Sequence, residues 1–80
     1  SEKYKSIIRE TVIHVDCAMN IVVVNTYPGM ANAAAAAIDG IGNDAMVGSL
    51  AGDDTVFVVM RTPEQAREFT DNFHDTLSTH

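Results

Sequence analysis

The stretch VGSLAGDDTVFVVM, residues 47–60, decides how this chain folds. Both flanks are rich in strand formers, and Gly52, Asp53 and Asp54 interrupt them with turn chemistry. The pattern predicts a hairpin, with one strand over 47–51, a Gly-Asp-Asp tip and a second strand over 55–60. Aspartates side by side at a tip hydrogen-bond their own turn and stay solvated. On its own, the pair therefore implies no special chemistry.

The chain following the hairpin carries a complete helix start. Thr62 is placed as N-cap, Pro63 as first helical residue, and Gln65 completes a Thr-x-x-Gln capping box. Ala66, Phe69, Phe73 and Leu77 then recur at three- and four-residue steps and form a core-facing stripe. Glu64, Arg67, Glu68, Asp71 and Asp75 make the solvated face, which His74 is expected to join, and His80 ends a fraying tail.

Ahead of the hairpin, Asn43 and Asp44 read as a loop and residues 30–39 as an alanine-dominated helix, with Gly40 or Gly42 to cap its end. Met30, Ala34, Ala37, Ile38 and Ile41 keep an apolar stripe. Asn32 and Asp39 are seven residues apart, nearly two turns, so both share another face over a floor of alanine methyls. Such a face suits a ligand, a neighbouring subunit or plain solvent.

Tyr27-Pro28-Gly29 ends an extended segment, because the residue before proline is pushed out of the helical region. Residues 21–24 are apolar on both faces, as in a strand inside a sheet, and Asn25 and Thr26 finish it. Ala18, Met19 and Asn20 connect it to an earlier strand, with Asn20 suited to a left-handed conformation. In that earlier strand a period of two sets Thr11, Ile13, Val15 and Cys17 on one face, against Val12, His14 and Asp16 on the other. His14 and Asp16 lack the third ligand a zinc site needs, so they read as solvent-facing. Residues 1–9 are polar around Tyr4, Ile7 and Ile8 and read as a linker end or a short helical turn before a domain over 10–80.

The expected order is ββαββα, an α+β unit with a four-stranded antiparallel sheet and both helices on one face. Its other face is then a natural surface for oligomers. Composition agrees. Eighty residues bury only about 60–65% of their unfolded surface. The 46% hydrophobic fraction is mostly alanine and valine, with three Phe, two Tyr and no Trp, so burial is expected to finish between subunits. A net charge of −6, with basic residues gathered only at Lys3, Lys5 and Arg9, disfavours nucleic acid and suits a small cation. A single cysteine, Cys17, fits a reducing cytoplasm and the role of a small hydrophobe. No signal peptide or membrane-length apolar run is seen, and the chain begins at Ser1.

The string Gly48-Ser49-Leu50-Ala51-Gly52-Asp53-Asp54-Thr55 closely resembles the G-[ST]-[IL]-A-G-D-D-T signature of the bacterial arginine repressor family, in its C-terminal domain. The likeness extends along the chain: residues 16–26 resemble the family's first hairpin, and Pro28-Gly29-x-Ala31 with Ala37-Ile38-Asp39 its first helix. The resemblance implies trimers stacked into a hexamer, with L-arginine as corepressor bound where trimers meet, no cofactor and no enzymatic activity. Carried over, the arginine-site positions are Asn32, Asp39, Ser49, Ala51, Asp53 and Asp54. Carboxylates there would grip the guanidinium with charge-assisted hydrogen bonds, and the Ala51 carbonyl would take an ammonium proton. The family usually has a longer Gln or His where Asn32 stands. Its N-terminal winged-helix domain has no counterpart in these residues, so operator binding is expected to be lost while effector sensing and assembly are kept.

Two rivals are an Mg²⁺ site of a small enzyme on Asp53, Asp54 and Asp39, and an assembly domain without effector. The first lacks a phosphate-binding loop or a nucleophile–base pair.

Overall fold

A computed structural model of the chain describes residues 1–78, so the tail reading of His80 lies outside the described residues. Seven elements follow one another: α1 (Glu2–Thr11), β1 (Val12–Ala18), β2 (Ile21–Thr26), α2 (Ala31–Ile41), β3 (Met46–Ala51), β4 (Thr55–Met60) and α3 (Pro63–Ser78). The four strands make one sheet in the order β1-β2-β4-β3, and every neighbouring pair is antiparallel. The expected α+β class and four-stranded antiparallel sheet are present.

A third helix is added. Where a turn or linker end is expected, α1 runs for ten residues. Its apolar stripe of Tyr4, Ile7 and Ile8 packs against the core, with Ile8 fully buried. Among α1's helix neighbours, the ring of Tyr4 lies directly over Gly40 of α2. A short polar segment thus becomes helical through tertiary packing rather than propensity.

The inner sheet face carries Val15, Val22, Val24, Val56, Val58 and Met60, met by Ala31, Ala34, Ala37 and Ile38 of α2 and by Ala66 and Phe73 of α3. Burying each valine stabilises the fold by roughly 1.5–3 kcal/mol. Alanines on α2 let its backbone approach the sheet closely. The α3 start is as expected, with the Gln65 N–H donating to Thr62 Oγ1 at 3.1 Å. Inside α3, Phe69 and Phe73 stack with centroids 5.6 Å apart.

Both edge strands carry a bulge. In β1 the register passes from Val12↔Thr26 to His14↔Asn25, and in β3 from Met46↔Met60 to Gly48↔Val59. The extra residues, Ile13 and Val47, are thrown outward and are more than half exposed. The bulge corrects the simple alternation expected around Thr11: Val12 and Val15 face inward, Ile13 does not, and Thr11 ends α1. One further expectation changes: Met19, not Asn20, takes the positive φ of 53° at the first hairpin tip. His74 is exposed as expected, and its Nε2 also lies 3.2 Å from the Val15 carbonyl oxygen on β1.

Among the described residues no helix lies on the outer sheet face. Leu50, Phe57 and Val23 lie in one cross-strand row there, with Leu50 75% and Phe57 50% exposed.

Candidate functional site at the Gly-Asp-Asp tip

The tip of the β3–β4 hairpin is fastened to the chain that enters α2. Main-chain atoms do most of this. The Asp53 carbonyl oxygen accepts from the N–H groups of Gly29 (3.1 Å) and Ala31 (3.3 Å), so it serves two donors at the start of α2. The Asp54 carbonyl accepts from the Thr26 N–H at 2.8 Å, and the Gly52 N–H closes the turn on the Thr55 carbonyl at 2.8 Å. A positive φ of 78° at Gly29 brings its N–H into place.

The two carboxylates have separate partners. Asp53 Oδ2 takes a second, longer bond of 3.3 Å from the Gly29 N–H. Asp54 Oδ1 accepts from the Thr55 hydroxyl at 3.0 Å, and Asn25 Nδ2 donates to that same hydroxyl at 3.3 Å. Asn25 and Thr55 therefore orient Asp54, a role that the sequence pattern does not reveal. Both acids are exposed, and the ion pair found among the described residues, Arg9 with Glu2, involves neither.

Asn32 lies one residue beyond Ala31, in the first turn of α2, exposed and without a hydrogen-bond partner among the described residues. Asp39 is on the same exposed side of α2, with Ala36 exposed between. Near this second end Ser49 of β3 donates from its hydroxyl to Asp39 Oδ1 at 3.1 Å. Ala51, half-buried, pairs with Val56 beside the tip. Apart from Ala51, on β3 beside the tip, the expected positions form two groups along one edge of the molecule. Asn32, Asp53 and Asp54 gather at the start of α2, and Asp39 with Ser49 about 10 Å further along its axis.

The magnesium alternative rested on Asp53, Asp54 and Asp39 acting together. Asp39 is not brought to Asp53 and Asp54, and among the described residues no three acidic, histidine or cysteine side chains are placed to hold a metal ion. His14 and Asp16 stay on the outer side of β1, where Asp16 Oδ1 accepts from the Cys17 N–H at 2.8 Å. A cavity of about 260 Å³ between the helices is lined by residues such as Ile8, Ile38 and Phe73 and by none of the six. Asn32, Asp39, Asp53 and Asp54 are exposed, and Ser49 and Ala51 are half-buried.

Residues 8–75 match the family model described as "Arginine repressor, C-terminal domain". The chain belongs to the arginine repressor family. Curated arginine repressors agree with this. That of Clostridium acetobutylicum is 48% identical over 66 residues, 82% of this chain and 44% of the relative. Those of Acetivibrio thermocellus (57% over 56 residues, covering 70% and 37%) and Heliobacterium modesticaldum (41% over 70 residues, covering 88% and 46%) are similar too. These relatives are named as repressors, not enzymes. The chain spans less than half the length of each. No helix among the described residues is long and apolar enough to cross a membrane.

Proposed function

We propose that these residues form the L-arginine-sensing and oligomerisation domain of a cytoplasmic transcriptional regulator of arginine metabolism. The observation that carries this is the family match over 8–75, with two exposed carboxylates at the signature tip that pair with no cationic side chain among the described residues. Arginine acts as effector rather than cofactor. Asp53 and Asp54 hold its guanidinium, and Asn32, Asp39, Ser49 and the Ala51 carbonyl serve its other end or the facing subunit.

The exposure of Asn32, Asp39, Asp53 and Asp54 supports a site completed by a second copy, as a ligand binds tightly only where surface closes around it. The bare outer sheet face, with the Leu50–Phe57–Val23 row, serves trimer formation, and arginine joins two trimers at the α2 edge. Operator contact is assigned to residues other than these, since the chain carries −6 overall.

Calorimetry with arginine, citrulline and lysine, paired with sedimentation, tests the reading. Two adjacent acids repel in the empty site and are relieved by a cation. Citrulline loses the charge and lysine the planar fork. Loss of a charged hydrogen-bonded pair costs about 1.5–3 kcal/mol, so both analogues are expected at least about tenfold weaker than arginine. Arginine is also expected to shift trimers to hexamers. Equal affinity for arginine and citrulline would refute the guanidinium role, and no arginine binding at all would leave a purely structural assembly domain.

A further inference from the structure

We infer that Tyr27 is a specificity-determining residue of this same site, stacking its ring on the guanidinium that Asp53 and Asp54 hold. The inference rests on the arginine reading above.

Tyr27 sits between the two points at which the tip is tied down. Thr26, just before it, donates its N–H to the Asp54 carbonyl at 2.8 Å. Gly29, two residues after, donates to the Asp53 carbonyl at 3.1 Å and to its carboxylate at 3.3 Å. Consecutive Cα atoms are about 3.8 Å apart, so the Tyr27 main chain passes within several ångströms of the Asp53 and Asp54 main chain. The main chain of Tyr27 is itself fixed. Its N–H donates to the Thr11 carbonyl at 3.0 Å, and its own carbonyl accepts from the Met30 N–H at 3.1 Å and the Thr26 hydroxyl at 2.8 Å. Pro28 removes further freedom from the loop.

The main chain of Tyr27 is tied while its side chain is left 53% exposed. The other tyrosine, Tyr4, packs onto Gly40 and the core. An exposed aromatic in the loop that fastens the tip, with two tip carboxylates that have no basic partner among the described residues, combines the two features that favour a planar cation, a π-face and negative charge. Guanidinium suits this better than ammonium, because it stacks flat while its edge N–H groups reach the acids. The ring therefore adds to the discrimination of arginine from citrulline, whose neutral urea gains less from a π-face.

The chain has no tryptophan and two tyrosines, which gives a direct readout. In a Tyr4→Phe background Tyr27 is the sole tyrosine, and arginine titration should change its near-ultraviolet circular dichroism and emission. By calorimetry, Tyr27→Leu should weaken arginine about three- to tenfold and citrulline less, while Tyr27→Phe keeps most of the affinity. Thermal unfolding of each variant without ligand shows that the loop is intact. Arginine binding with native affinity to Tyr27→Leu, or with a silent Tyr27 signal, would overturn the stacking role and leave the acids as the site. Failure of the native chain to bind arginine would remove the underlying reading and this inference together.

Discussion

Gly29 and Gly40 flank the two ends of α2 and are glycines for opposite reasons. At Gly29 the φ of +78° is left-handed, but a Cβ added there meets nothing within 4 Å. At Gly40, inside the helix, the backbone is ordinary, but a Cβ would lie 2.5 Å from the Tyr4 ring. One end of α2 is set by N–H groups that donate to a tip carbonyl, the other by a ring pressed onto bare backbone. The difference has a functional side. Main-chain fastening at the first end leaves the side chains of Asn32, Asp53 and Asp54 exposed for other partners.

The largest expected effect is at the packed end. Gly40→Ala gains about 1 kcal/mol of helix propensity but forces the Tyr4 ring and α1 outward, an overpacking cost of about 1–3 kcal/mol. In a Tyr4→Ala background the clash disappears, and the same substitution should become stabilising. Urea denaturation of the four proteins at one fixed concentration gives the coupling, expected at about 1–3 kcal/mol. Additive effects would show that Tyr4 does not determine the glycine.

Gly29 should behave differently. Gly29→Ala is expected to destabilise by about 1–2 kcal/mol through its backbone alone. Asn tolerates the left-handed region better, so Gly29→Asn should cost clearly less. Since no neighbour is involved, no second-site truncation should rescue Gly29→Ala, in contrast to Gly40. Equal losses for Ala and Asn in the same denaturation experiment would mean that something other than φ constrains the position.

The contrast between these glycines also marks how far the sequence can be read. Features carried by residues adjacent along the chain were legible: the Gly-Asp-Asp hairpin, the Thr62–Gln65 capping box, and Asn32 and Asp39 on one side of α2. What escaped depends on partners distant in sequence or on main-chain atoms. The reason for Gly40 is Tyr4, in another helix. The bulges at Ile13 and Val47 are invisible to a period-two pattern, because an extra residue shows only when the partner strand is present. Asp53 was legible as an acid, but not as the carbonyl that caps α2. His74 was legible as solvent-exposed, but not its contact with the Val15 carbonyl on β1.

The smallest expected stability effect belongs to Asp53, and it separates architecture from binding. The Gly29 N–H already has the Asp53 carbonyl at 3.1 Å, and the carboxylate is a second acceptor at 3.3 Å. Asp53→Asn keeps the carbonyl and an amide oxygen in place of the carboxylate. The helix start therefore retains its partners, and a surface change of this kind is expected to shift unfolding by less than about 0.5 kcal/mol. Arginine affinity depends on the charge instead and should fall about tenfold or more, with a smaller loss for citrulline. The arginine-driven shift to hexamer should weaken alongside it. A variant that unfolds as the native chain does, yet has lost arginine, would fix the carboxylate as a ligand group. If arginine affinity and unfolding fell together, the Asp53 side chain would be part of the scaffold, and the division between a main-chain frame and free side chains at the start of α2 would fail.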